Sequence, residues 1–147
     1  MTALVIGVGH PFRRDDGIGP AVAEALAATG VEALIHHGEG TDLMARWRGR
    51  GTVVAIDATA SGTAAGTVRV WDAVAAPLPA GLLPKGSHQF GLAEGIEMAR
   101  LLGQLPETLM VIGVEGADFS AGQGLSPAVA AALPLAVAEA ERLLRKV

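Results

Sequence analysis

Apolar and polar positions alternate between two rhythms along this chain. Ala3 to Val8 is a continuous apolar run bounded by glycine, the pattern of a strand buried on both faces. From about Gly19 the spacing changes: Ile18, Val22, Ala25 and Leu26 fall on one helical face, Pro20 suits a first turn, and Gly30 ends the helix. Val31 to Ile35 reads as a second short strand. Thr41 is placed to cap a helix through Arg48, closed by Gly49 and Gly51. Thr52 to Ile56, TVVAI, is a third buried strand with Asp57 at its tip. Thr67 to Trp71, TVRVW, alternates as a half-exposed edge strand does. A loop rich in proline and glycine runs from Asp72 to Gly86, and Leu92, Ile96 and Ala99 mark a helix ending at Gly103. Thr108 to Val114, TLMVIGV, is the last strand. Ser126-Pro127 opens a final helical segment, which Pro134 is expected to divide into a short turn and a longer helix to about Arg145.

Strands that alternate with helices predict an α/β fold: a three-layer sandwich, with a mostly parallel five-stranded sheet and helices on both faces. The 147 residues suit a single domain, 1–147, with one sizeable core. Half the residues are hydrophobic but only 3% are aromatic, so that core is built from Ala, Val, Leu and Ile. No internal repeat or low-complexity tract interrupts it.

Charge and cysteine content narrow the chemistry. The net charge is -4 with no basic block, which argues against a nucleic-acid partner. The chain has no cysteine, so a thiol nucleophile, a disulfide framework and a cysteine-ligated metal are excluded. No apolar run reaches membrane-spanning length and no leader pattern opens the chain. A cytoplasmic protein without a membrane partner is the expectation.

The segment GVGHPFRRDDGIGP, residues 7–20, poses a choice between a phosphate loop and a loop that presents a carboxylate. Gly7 and Gly9 fit a dinucleotide fingerprint, but Phe12 stands where its third glycine belongs. The helix starts too late to cradle a pyrophosphate, and two adjacent aspartates repel one. In an open α/β sheet, ligands bind beyond the carboxyl ends of the strands. That rule brings together the loop after the first strand, with His10, Asp15 and Asp16, the tip of the third with Asp57, and the long loop that delivers His88. Two carboxylates and an imidazole suit a borderline divalent metal such as zinc or nickel. Each residue has a plainer reading too. Asp15 or Asp16 serves equally as a helix N-terminal acid, Asp57 as a turn residue, and His88 as a surface or capping histidine. Ser87 reads as a helix N-cap. His36 and His37, adjacent at a strand end, are expected on opposite faces and read as structural. Arg13 and Arg14 read as a solvated pair, with a grip on a substrate carboxylate as the alternative.

Four blocks, in order, resemble the nickel–iron hydrogenase maturation endopeptidases. GVGHPFRRDDGIG is similar to the family's G-[IV]-G-N-x-x-x-x-D-[DE]-G-[VI]-G signature. VVAIDATASGTAAGTV resembles its second block, SHQFGLAEGIEMARLLGQLP its third, and VIGVEGADFSAGQGLSPAVAAALPLAV its closing strand, loop and helix. The resemblance implies that Asp16, Asp57 and His88 are the catalytic and metal-contacting residues. It also implies an endopeptidase that removes the C-terminal extension of a hydrogenase large-subunit precursor. The nickel is carried by that precursor and serves for recognition, so no permanently bound cofactor is expected. Asp15 or Asp16 is a candidate general base. The family's usual Asn after G-x-G is His10 here, which could tie the loop or act as an extra ligand. The resemblance leaves two other readings: a metal-dependent chaperone or checkpoint that binds the precursor without cutting it, and a small-molecule hydrolase on a related fold. A monomer or weak homo-oligomer is expected.

Overall fold

The computed structural model describes residues 3–84 and 89–146. It contains five strands, β1 (Ala3–Val8), β2 (Ala33–His36), β3 (Thr52–Thr59), β4 (Val68–Asp72) and β5 (Thr108–Glu115), and four α-helices, α1 (Ile18–Ala27), α2 (Gly40–Trp47), α3 (Leu92–Leu101) and α4 (Pro127–Arg145). The sheet runs β2-β1-β3-β5-β4, parallel except for β4, which lies antiparallel on β5. This is the mostly parallel five-stranded sheet expected from the sequence.

The chain leaves β1 for β2 on one side and returns from β2 to β3 on the other. Right-handed crossovers in opposite directions place α1 and α2 on opposite faces. Alternation along the strands then feeds two cores. Leu4, Ile6, Val53 and Ala55 face α2 and α3, where Trp47 and Ile96 are fully covered. Val5, Val54, Ile56 and Ile112 face α1 and α4, packing on Ile18, Leu26 and Ala136. The topological switch point, where an open sheet forms its crevice, lies between β1 and β3.

The close seat of α1 on the sheet depends on glycine. A Cβ on Gly19 would lie 2.3 Å from the Val8 carbonyl oxygen and 2.6 Å from that of Ile56; a Cβ on Gly7 would lie 2.2 Å from the Gly19 carbonyl oxygen. These glycines are spacers for helix–strand contact. The first turn of α1 is buried against the sheet rather than open to an anion, which agrees with the rejection of a phosphate loop.

Three boundaries differ from expectation. Helix α4 is continuous through Pro134. Ala130 and Pro134 both lie on the exposed face, so the carbonyl that loses its partner is left to solvent. Burial of Val129, Ala132, Ala136, Ala140 and Leu143 along the opposite face holds the helix together. Helix α2 is capped by Glu39 instead of Thr41: the Glu39 carboxylate accepts from the backbone N–H of Thr41 at 3.0 Å and of Asp42 at 2.9 Å. Strand β3 runs on to Thr59, so Asp57 sits within the strand, opposite Gly113, instead of at its tip.

Replacing Gly19 by alanine forces the helix off the sheet. The expected loss is about 3 kcal/mol of unfolding free energy, measured by urea denaturation. A variant as stable as the parent would show that α1 tolerates the displacement.

Candidate functional site

The residues between β1 and α1 do not run straight into the helix. A 3₁₀ turn, Arg14–Gly17, intervenes and turns the two aspartates in different directions. Arg14 adopts φ 45°, the only left-handed conformation at a non-glycine among the described residues. The strain is held by stitching to the loop after β5. The Arg14 N–H donates to the Gly122 carbonyl at 3.0 Å, the Gly122 N–H to the Phe12 carbonyl at 2.8 Å, and the Asp15 N–H to the Asp118 carbonyl at 3.0 Å. The Arg14 guanidinium adds a bond to the Gln123 carbonyl at 3.0 Å.

Asp15 is fully buried and faces that loop. Its carboxylate accepts from the backbone N–H of Ala117 (2.7 Å), Asp118 (2.9 Å) and Ser126 (2.7 Å), and from the Ser126 hydroxyl (2.8 Å). Burial alone raises its pKa, but these donors together outweigh burial and hold it below the ordinary carboxylate value. Asp15 thus clamps the start of α4, its carboxylate committed to four structural hydrogen bonds.

Asp16 turns the other way. Its Oδ2 accepts the His10 backbone N–H at 2.8 Å, closing the loop back onto the end of β1. Gly9, at φ 144°, permits this: a Cβ there would lie 1.9 Å from the Asp16 carbonyl oxygen. Asp16 and Asp57 line one cavity of about 560 Å³ on the α2/α3 side of the sheet, and each is 7% exposed. Burial raises the Asp57 pKa well above the ordinary range. The Asp16 charge pushes it further, and the Ala58 backbone N–H opposes only in part. Among the described residues neither acid has an ion-pair partner.

The structure therefore brings Asp16 and Asp57 together as expected. His88 and Ser87 lie outside the described residues. The described N-cap of α3 is Gly91, whose N–H is taken by Glu94 Oε1 at 2.8 Å. Among the described residues, no group of three His, Asp or Glu side chains is assembled to hold a metal ion. Helix-capping is not the role of either aspartate of the pair: α1 has Gly17 at its N-cap and no side-chain cap.

The histidine pair departs from expectation. His37 lies past the end of β2, where strand alternation no longer applies, and its ring stacks on His36 with centroids 4.8 Å apart. His37 lines the cavity, with its ring 6.5 Å from that of His10. His36 is buried. Its Nδ1 accepts the Gly38 N–H at 2.9 Å, which fixes the proton on Nε2, and that group donates to Asp42 Oδ2 at 2.6 Å. Burial depresses the His36 pKa despite the Asp42 carboxylate, so the ring is neutral and supports the His37–Gly38 wall of the cavity.

A second buried acid went unread in the sequence. Glu115, at the end of β5, accepts from the Thr59 hydroxyl (2.7 Å), the Ser61 hydroxyl (2.8 Å) and the N–H groups of Ser61 (2.9 Å) and Gly62 (3.1 Å). Arg69 approaches it at 3.3 Å. Burial raises its pKa, and the hydroxyl and N–H donors more than reverse that. The available signal was an acid ending an apolar strand, the same one that singled out Asp57.

A family model described as hydrogenase maturation protease matches residues 20–143. The hydrogenase expression/formation protein HupD of Rhodobacter capsulatus is 31% identical, over 97% of this chain and 70% of that protein. The hydrogenase 2 maturation protease of Escherichia coli (strain K12) is 30% identical, over 99% of this chain and 92% of that protein. Among solved structures, the hydrogenase maturating endopeptidase HybD from E. coli superposes with a TM-score of 0.84 at 28% identity, covering 99% of this chain and 93% of that one.

The raised Asp57 pKa fixes the sign of a stability test. Below the unfolded value of about 3.9 the carboxyl is neutral in both states; as pH rises through the folded pKa, the folded state resists ionisation and loses stability relative to the unfolded chain. The D57N variant should match the parent near pH 4 and become increasingly more stable than the parent as the pH is raised towards 8 in urea denaturation. Equal differences at the two pH values would mean that Asp57 is not strained by burial.

Proposed function

Because this chain belongs to the hydrogenase maturation protease family, we propose that it removes the C-terminal extension of a nickel-loaded nickel–iron hydrogenase large-subunit precursor. It is a hydrolase, and the nickel belongs to its substrate. One observation carries the reading: two buried carboxylates, Asp16 and Asp57, share a cavity at the switch point of the sheet and have no cationic partner among the described residues. Such a pair is expensive to hold, and a divalent cation entering with the substrate relieves it. His88 is the imidazole assigned to the same cation by the four-block resemblance.

The cavity lining supports hydrolysis by water. No serine, threonine, cysteine or lysine is among the described residues that line it, so the described lining offers no nucleophile for a covalent acyl intermediate. The nickel, when bound, supplies Lewis acidity beside the scissile carbonyl. The protein supplies position and proton transfer. A carboxylate of the Asp16–Asp57 pair takes the proton of the attacking water and returns it to the departing amine. Asp15, the alternative base in the sequence, is committed to the α4 clamp.

No helix among the described residues is long and apolar enough to cross a membrane, and the precursor is taken to be a soluble partner in the cytoplasm.

The test is incubation with purified precursor, with and without nickel, read by mass spectrometry. The parent enzyme should shorten only the nickel-loaded precursor. The D16A and H88A variants should keep the parent's circular dichroism and slow processing at least about a hundredfold. Cleavage of nickel-free precursor at an equal rate would remove nickel recognition. Binding without any change in precursor mass would instead favour a checkpoint protein. Normal processing by D16A would refute the assigned site.

A further inference from the structure

The two adjacent arginines of the first loop have separate fates. Arg14 is spent on the loop after β5, bonded to Gln123 and 3.7 Å from Asp118. Arg13 is half-buried and lines the same cavity as Asp16 and Asp57. Among the described residues its side chain has no hydrogen-bond or ion-pair partner, and it is the only cationic side chain of the lining besides the histidines. Its backbone is firmly placed. The Arg13 N–H donates to the His10 carbonyl at 3.0 Å, its carbonyl accepts the Asp16 N–H at 3.1 Å, and the residue bridges to Gly122.

We propose that Arg13 is a specificity-determining residue: its guanidinium receives a carboxylate of the polypeptide bound in the cavity. The inference rests on the protease reading for the identity of that polypeptide, the extension of the precursor. A guanidinium held on a fixed backbone offers two parallel N–H donors that match a carboxylate. The remaining formal charges of the described lining are the acids Asp16, Asp57 and Glu94. Among the described non-histidine side chains of the lining, an anionic substituent meets an attracting charge only beside Arg13. One cation among three acids sets the register of an entering chain, by attraction at one point and like-charge rejection at the others. The carboxylate has two sources, an acidic side chain within the extension or the free C-terminus of the precursor.

The experiment measures binding and cleavage separately, on nickel-loaded precursor with the parent enzyme and the R13M and R13K variants. The structural contacts of Arg13 are made by its backbone, which both variants keep, so both should melt with the parent. R13M should weaken precursor binding and raise KM about ten- to a hundredfold with kcat little changed, and R13K should recover part of the loss. Two altered precursors locate the source: one with the acids of the extension changed to amides of the same shape, the other with the extension joined as a peptide ending in a carboxamide. The altered precursor that lacks the true partner should bind the parent as weakly as R13M binds the normal one, and lose nothing further with R13M. An unchanged KM and affinity in R13M, or full additivity with both altered precursors, would overturn the role of Arg13 while leaving the protease intact. If the parent binds the precursor without cutting it, the protease reading fails and the affinity series still decides on Arg13. If the parent neither binds nor cuts, both fall.

Discussion

The site depends on one buried carboxylate that takes no part in its chemistry. Asp15 accepts four hydrogen bonds from the loop and helix that follow β5, and this fixes the position of the 3₁₀ turn. Because Asp16 is the next residue of that turn, its direction into the cavity follows from where Asp15 is tied. The glycines beneath add the other half of the constraint. With α1 seated directly on β1 and β3 through Gly7 and Gly19, the turn has little room to shift. Adjacent acids of identical chemistry thus divide the work, one anchored and satisfied, the other left with a single backbone donor and a view of Asp57.

That division explains the electrostatics. Asp15 and Glu115 are both buried at the carboxyl end of the sheet, and both have low pKa values because several donors surround them. Asp57 is set deeper in the protein, has one opposing donor and a like charge nearby, and is pushed the other way, chiefly by burial. The two kinds of acid differ both in depth and in how many N–H and O–H groups point at them. The fold holds this pair between two acids, Asp15 and Glu115, that several donors each keep in place.

Much of this was legible in the amino-acid order. The buried strands announce themselves as unbroken apolar runs, and the rule that ligands gather at the carboxyl ends of a parallel sheet was enough to bring the RRDDG loop and Asp57 to one edge, while the preference for Asp16 over Asp15 came from the family resemblance. What the order of residues does not carry is the partner of each polar group. Asp15 and Asp16 look alike in RRDDG because the donors that set Asp15 apart come from Ala117, Asp118 and Ser126, far along the chain. Glu115 carried the same signal as Asp57, an acid ending an apolar run, and differs through the hydroxyls of Thr59 and Ser61 across the sheet. Pro134 was read by its local effect, whereas the burial of one whole face of α4 decides the outcome. His36 and His37 were assigned by strand alternation, which ends one residue too soon to govern His37.

The Asp15 clamp has a consequence for when the protein becomes competent. Its donors lie 102 to 111 residues further along the chain. Contacts of such long range form late, after the loop-closure entropy of the intervening segment has been met. During synthesis, a nascent chain that ends before Ala117 holds β1, β3 and both cavity acids but none of the donors that hold Asp15. Completion of the clamp therefore awaits the loop after β5 and the start of the last helix, which supply every donor to Asp15.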